Sequence, residues 1–349
     1  MRRGLMAWDA EELPRAALAA RLARLREQMR EERFDAFVIY TNIARGAGAC
    51  WLTGFTPYWN EGLLLVPADG EPLFATALSK RVAEWISSVM PQGDVITTPK
   101  PAALVAERLA AAGARRVGVL ELDDFPAGHA HTIITAAPAV ALFDGASAFH
   151  RARGAPDAYE LLLIRRADAL ARQSLAASVG STAVDPLALV ARCEQDARLG
   201  GAEECFITLA PDLSRPGGFL RADRPHAFGA TFALRVAVAY KGAWSRSVRS
   251  FAADAQMQQA FALADAALAA FSPASSSILK HECENIFAHV GTVRDWSAEQ
   301  PRGSYALATV ASADGCAEGF DASAPFIINV DAEIAGARWR GARLVEPRA

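Results

Sequence analysis

Apolar residues in the first half of the chain recur with two alternating periods. Between Pro14 and Glu32, Leu18, Leu22, Leu25 and Met29 fall three or four apart and share one face of a predicted helix. Ala36 to Tyr40 is an unbroken apolar run of strand length, and Trp51-Leu52-Thr53, Leu63 to Val66 and Leu73 to Ala75 read as further strands. Helical periods follow at Ser79 to Met90 and Ala102 to Ala112, then a strand at Val117 to Leu120. Strands interleaved with helices predict a layered α/β domain over residues 1–148.

Asp144 to Pro156 is polar and punctuated by glycine and proline, which predicts a linker at 149–156. Beyond it, helical periods cover Asp157 to about Ser178 and Asp185 to Arg198, with strands at Phe206 to Ala210, Phe232 to Tyr240 and Trp244 to Phe251. Helices at Asp254 to Phe271 and Ile278 to Val290 precede strands at Ala306 to Val310 and Phe326 to Glu333. Residues 157–349 are therefore expected to form an α+β domain.

The pair Phe232–Tyr240 and Trp244–Phe251 has the pattern of a hairpin. With Lys241-Gly242 as a two-residue turn, Arg235 faces Val248 and Arg246 faces Ala237. The period of two then puts Arg235 and Arg246 on one face as diagonal neighbours, above the small residues Ala237 and Ala239. Leu234, Val236, Val238 and Tyr240 take the other face, as a core would require. Two like charges placed diagonally need a counter-charge. Three readings fit: an anionic ligand held by forked guanidinium bonds, internal ion pairs with Asp331 or Glu333, or a solvated face.

Composition narrows the function classes. The net charge of −3 gives no basic footprint for nucleic acid, although arginine outnumbers lysine 32 to four. No apolar run reaches the ~18–20 residues of a bilayer span, and no apolar segment follows the two opening arginines as in a secretory signal. Five scattered cysteines without a CxxC pair suit reduced thiols, so a cytoplasmic location is expected, without zinc knuckle or redox motif.

Taken together, DAFVIY at Asp35–Tyr40, Asn42, WLTGF at Trp51–Phe55, ELLLIRRADALA at Glu160–Ala171 and FALRVAVAYKGAWSRSVRSF at Phe232–Phe251 resemble the creatinase, prolidase and aminopeptidase P family. The resemblance implies an α/β N-terminal domain, an α+β "pita-bread" C-terminal domain and a homodimer. Metal-using members hold two divalent ions with two Asp, one His and two Glu. On that pattern Arg235 and Arg246 stand in the two Asp slots, Ser304 of Gly303-Ser304-Tyr305 in the His slot, Asp331 at or near the first Glu slot and Val345 in the second. The chain ends four residues after Val345, short of the family's usual C-terminus. Guanidinium has no lone pair for a cation, so no metal and no other cofactor is expected.

The function expected from these residues is a metal-independent, creatinase-like protein that binds a small carboxylate-bearing amino or guanidino acid or peptide-like compound and hydrolyses a C–N bond in it. Arg235, Arg246, Ser304, Tyr305 and Arg343 are the expected substrate contacts, and Asp331 and Glu333 the acid/base candidates. The alternatives are a catalytically inactive pseudo-peptidase serving as a binding or scaffolding module, and a metalloaminopeptidase acting on Xaa-Pro bonds, which the ligand slots disfavour. Asn42, Arg45 and Trp59 lie in loops that in creatinase-like dimers reach the neighbouring site. His281 and Glu284 read as a solvated helix face, His289 as helix surface or satisfied core, and His129 and His131 as free of chemistry. Cys205 beside Glu203 and Glu204 has its thiolate disfavoured.

Overall fold

A computed structural model describes residues 8–55, 61–176, 186–221, 226–272, 279–317 and 320–346. The chain divides into two compact units, one formed by Leu5–Gly154 with Pro301–Ala306, the other by Ala155–Gln300 with Leu307–Ala349. Trp59 lies outside the described residues, as do Ser178, Asp185 and Ile278 at the expected helix ends.

The first unit contains α1 (Arg15–Glu31), β1 (Ala36–Thr41), α2 (Ala47–Thr53), β2 (Gly62–Pro67), β3 (Leu73–Thr76), α3 (Lys80–Val89), β4 (Asp94–Thr97), α4 (Pro101–Ala111), β5 (Arg116–Val119), α5 (Ala127–Ala136), β6 (Ala141–Asp144) and α6 (Ala146–Arg153). Its sheet has the order β4-β3-β2-β1-β5-β6, with β1, β5 and β6 parallel and β2 antiparallel to both neighbours. The leucine face of α1 is buried as its spacing predicted.

Two expectations are corrected here. Trp51-Leu52-Thr53 is the last turn of α2, closed by Gly54 in the left-handed region, because every residue of this short segment is buried and a period of two had nothing to separate. The expected linker is largely α6, whose Ala148, Phe149 and Ala152 pack into the core of this unit, and the chain turns at Gly154.

The second unit contains α7 (Ala158–Ala176), α8 (Pro186–Leu199), β7 (Glu204–Ala210), β8 (Leu220–Arg221), β9 (Thr231–Tyr240), β10 (Ala243–Ala252), α9 (Ala255–Ala270), α10 (Leu279–Phe287), β11 (Gly291–Arg302), β12 (Tyr305–Ser312), β13 (Gly315–Cys316), β14 (Phe326–Ile334) and β15 (Ala337–Val345). Its sheet runs β13-β12-β11-β14-β15-β10-β9-β7-β8. The β9–β10 register is the one predicted: Arg235 opposes Val248 and Arg246 opposes Ala237. Lys241 and Gly242 both have positive φ, +46° and +79°, as a type I′ turn requires. Asp254 caps α9 by accepting a hydrogen bond from Met257 N at 2.8 Å. Leu234, Val236 and Val238 face α7 and α8 in one apolar cluster, while α9 and α10 cover β14 and β15 in another built around Trp339, Phe287 and Phe326. Among the described residues no helix is long and apolar enough to cross a membrane.

The hairpin turn carries a pH-sensitive contact. Gly242 N donates to Glu203 at 3.1 Å, and burial pushes the Glu203 carboxyl up to about 7. A group whose folded pKa exceeds its unfolded value binds its proton more tightly when folded, so stability falls as pH rises from about 4.5 to about 7. The wild type is expected to lose on the order of 2 kcal/mol more than Glu203→Gln between pH 5 and pH 8. Equal losses in thermal melts of the two proteins would contradict this.

Candidate functional site

Period two sorts the strands of the second unit into a helix-covered face and an open one. Direct cross-strand partners share a face, so Thr208, Arg235, Val248, Ala342, Asn329 and Ser297 form one row across six strands. Arg340, Asp331 and Asp295 form the next. Above these rows lies a cavity of about 200 Å³, lined by Phe219, Arg235, Arg246, Asp295, Ser297, Glu299, Asn329, Asp331 and Arg340 over a floor of Val248, Val330 and Gly341.

Each arginine is held differently. Arg246 forms an ion pair with Glu299, bridging from β10 to β11 across β14 and β15. Arg340 donates from Nε to Asp331 at 3.0 Å and from a terminal nitrogen to Gly217 O at 2.7 Å. Arg338 grips both oxygens of Asp331, at 2.6–3.0 Å. Arg235 donates from Nε to Thr208 Oγ1 at 2.9 Å and packs its guanidinium 4.6 Å from the Phe219 ring centroid; Arg340 lies 5.3 Å from the same ring. No carboxylate pairs with Arg235 among the described residues. Burial first, then the Arg246 and Arg340 charges, push its guanidinium below the usual range, with Glu299 opposing them. A guanidinium is still protonated there, so Arg235 offers an unneutralised positive charge to the cavity.

The expected site residues separate. Arg235, Arg246 and Asp331 line the cavity. Asp331, expected as an acid or base, is fixed between two arginines. Glu333 lies outside the cavity, half-buried and paired with Arg294. Ser304 and Tyr305 do not line this cavity: they sit at the β11–β12 turn in the first unit, Ser304 N donating to Glu121 at 3.2 Å and Tyr305 Oη to Asp124 at 3.1 Å. Arg343 and Val345 are on the opposite face from Ala342, and Val345 is buried in the apolar core. Arg343 has its guanidinium pKa lowered by burial, against the charge of Asp168. The alanines expected to leave room above the hairpin are instead roofed by Phe206 and Trp244, which flank β9 and stack at 5.6 Å.

Glu299, Arg340, Asn329, Asp295 and Phe219 were missed. The alternation Asn329-Val330-Asp331 and Asp295-Trp296-Ser297-Ala298-Glu299 was readable as one polar face. The pairing of β11 with β14, which brings those residues together, was not.

No histidine lines this cavity; His226 lines a neighbouring one that shares Arg340 with it, and among the described residues no three His, Cys, Asp or Glu side chains are grouped to hold a metal. The donor set does not fit the divalent ions that metal-using relatives bind. Three guanidiniums repel a cation, and the oxygens of Asp331 are engaged by Arg338 and Arg340. His281, Glu284 and His289 are exposed. Cys205 has its thiol pushed up to about 12, by burial first and Glu194 next, rather than chiefly by Glu203 and Glu204.

An α/β unit followed by an α+β unit with a large antiparallel sheet defines the class of protein. Residues 21–154 match the Creatinase/Prolidase N-terminal domain family. The structure is similar to a prolidase from Pyrococcus horikoshii (TM-score 0.69, 15% identity, 94% of this chain and 96% of that one). It is also similar to the dipeptidase PepE from Mycobacterium ulcerans (TM-score 0.62, 18% identity, 99% and 98%). A third similar structure is the N-terminal domain of a FACT complex subunit from Cicer arietinum, or chickpea (TM-score 0.60, 15% identity, 95% and 94%). No curated protein is significantly similar in sequence. Residues 21–154 thus match a Creatinase/Prolidase N-terminal domain, and the whole chain has the fold of these prolidase and dipeptidase structures, an α/β N-terminal domain followed by a pita-bread C-terminal domain.

Proposed function

We propose that the second unit is a metal-independent binding site for a small carboxylate-bearing compound of the amino-acid, guanidino-acid or short-peptide class. The carrying observation is Arg235, a half-buried guanidinium with no carboxylate partner among the described residues, lining a cavity of about 200 Å³. A carboxylate there gains charge-assisted, forked hydrogen bonds away from bulk water. Metal independence is supported by the guanidiniums of Arg235, Arg246 and Arg340 lining the cavity and by Asp331 being engaged by Arg338 and Arg340.

Hydrolysis of a C–N bond in the bound compound is the catalytic extension of this reading. It needs a group free to move a proton. Asp331 is engaged by Arg338 and Arg340 and Glu333 lies outside the cavity, so Glu299 and Asp295 are the carboxylates left for that role. A catalytically inactive binding or scaffolding role is the second reading. It is favoured by the pairing of Asp331 with two arginines, which leaves it no free proton-transfer role, and by the likeness to a subunit of a complex. The homodimer and the cytoplasmic location expected from the sequence remain part of the proposal.

Calorimetric titration of chelator-treated protein with propionate and glycine tests the reading. Binding is expected without added metal and is expected to weaken by about 10- to 100-fold in Arg235→Ala, the loss of one charge-assisted contact of ~1.5–3 kcal/mol. Binding that requires manganese or zinc, or that survives intact in Arg235→Ala, overturns it.

A further inference from the structure

Besides Trp296 Nε1, whose ring packs in the apolar core, three buried polar atoms of the cavity-lining residues have no hydrogen-bond partner among the described residues: Arg246 Nε, Asn329 Nδ2 and Glu299 Oε2. Buried polar groups in folded proteins are almost always satisfied, so orphans gathered in one cavity describe the complement that fills it. Two of these atoms are donors and one is a carboxylate acceptor. Resting on the carboxylate reading above, we propose that the pocket selects a zwitterion, a free α-amino acid with a small side chain. Its carboxylate lies against Arg235, Asn329 and Arg246, and its ammonium against Glu299.

The chemistry excludes simpler occupants. A plain carboxylate satisfies the donors but sets a second negative charge beside Glu299 and leaves Oε2 orphaned. Glu299 is 8% exposed, so water does not relieve that penalty cheaply. A plain amine satisfies Glu299 but meets the uncompensated charge of Arg235. A molecule carrying both charges answers all three orphans, and Asp295 on the same wall adds a second acidic neighbour for the ammonium.

Size limits the rest of the molecule. About 200 Å³ is below the 300–1,000 Å³ of sites for drug-sized ligands, and Phe219 closes one side by packing on both Arg235 and Arg340. Glu299 plays two parts here. Through Arg246 it orients a donor of the carboxylate, and through Oε2 it receives the ammonium.

Calorimetric titration of the wild-type chain with glycine, L-alanine, N-acetylglycine, propionate and ethylamine separates the possibilities without any variant. Glycine and L-alanine are expected to bind at least about tenfold tighter than N-acetylglycine or propionate, and ethylamine not to bind measurably. In Glu299→Gln, checked for folding by its melting curve, amino-acid affinity should fall at least about tenfold while propionate binds as well or better, because Arg246 loses its internal partner. Equal affinity for glycine, N-acetylglycine and propionate overturns the zwitterion and leaves the carboxylate site standing. Failure of every carboxylate to bind overturns both.

Discussion

Replacing Asp331 by alanine is expected to destabilise the second unit by about 3 kcal/mol, since breaking a buried ion pair from one side leaves the other charges uncompensated. Asp331 accepts from Arg338 at 2.6–3.0 Å and from Arg340 Nε at 3.0 Å, and both it and Arg340 are largely buried. Removing it strands two guanidiniums beside a third, Arg235. Arg340 Nε then has to find another acceptor, and the Arg340 contact to Gly217 O and the stacking under Phe219 loosen with it. The measurement is urea denaturation of wild type and variant. The paired control is Asp331→Asn, which keeps one acceptor and is expected to recover about a third of the loss. This result separates two roles for the residue. A dispensable acid or base leaves stability nearly unchanged in Asp331→Ala, whereas a clamp for the arginine row does not. A change below about 0.5 kcal/mol rules out the clamp.

The second large effect is expected at Trp339. Its ring is fully buried between β15 and helices α9 and α10, 5.4 Å from the Phe287 ring, with Nε1 donating to Asp265 at 3.1 Å. Trp339→Ala removes a large apolar side chain from a packed interior and is expected to cost about 3–5 kcal/mol. It also withdraws a donor from Asp265, whose carboxyl burial already pushes up to about 6 despite the nearby Arg249. The loss in the variant should therefore grow above pH 6, where Asp265 must carry its charge with one hydrogen bond fewer. Trp339→Phe keeps most of the volume and should lose about half as much. Denaturation midpoints at pH 5 and pH 8 read both effects; a pH-independent loss would mean that Asp265 does not draw on the indole.

Legibility from sequence followed the range of the interaction. Lys241-Gly242 set the turn, the turn set the register, and the register put Arg235 and Arg246 on one face, all within twenty residues. The cap at Asp254 and the buried face of α1 were equally local. The α6 segment has the short polar stretches of a linker, and only the packing of Phe149 in the core of its unit reveals the helix. Aligning Ser304 and Val345 with ligand slots relied on spacing counted along the chain. Strand pairing moved both: Ser304 lies at a turn in the first unit, and Val345 faces the core.

Sequence by itself thus determined most of the helices and strands, the central hairpin and the placing of Arg235 and Arg246 on one face of it, because each depends on residue type and short spacing. Tertiary structure alone decided what the arginines meet. Glu299 reaches Arg246 from a strand three places away in the sheet, and Arg340 is held by Gly217 O from a segment more than a hundred residues earlier. Arg235 is left without a carboxylate partner among the described residues because the side chains that meet it, Thr208 and Phe219, carry no negative charge. Such contacts depend on the order of strands in the sheet, which non-local pairing and burial of the opposite face fix together, and no short window of sequence carries that information.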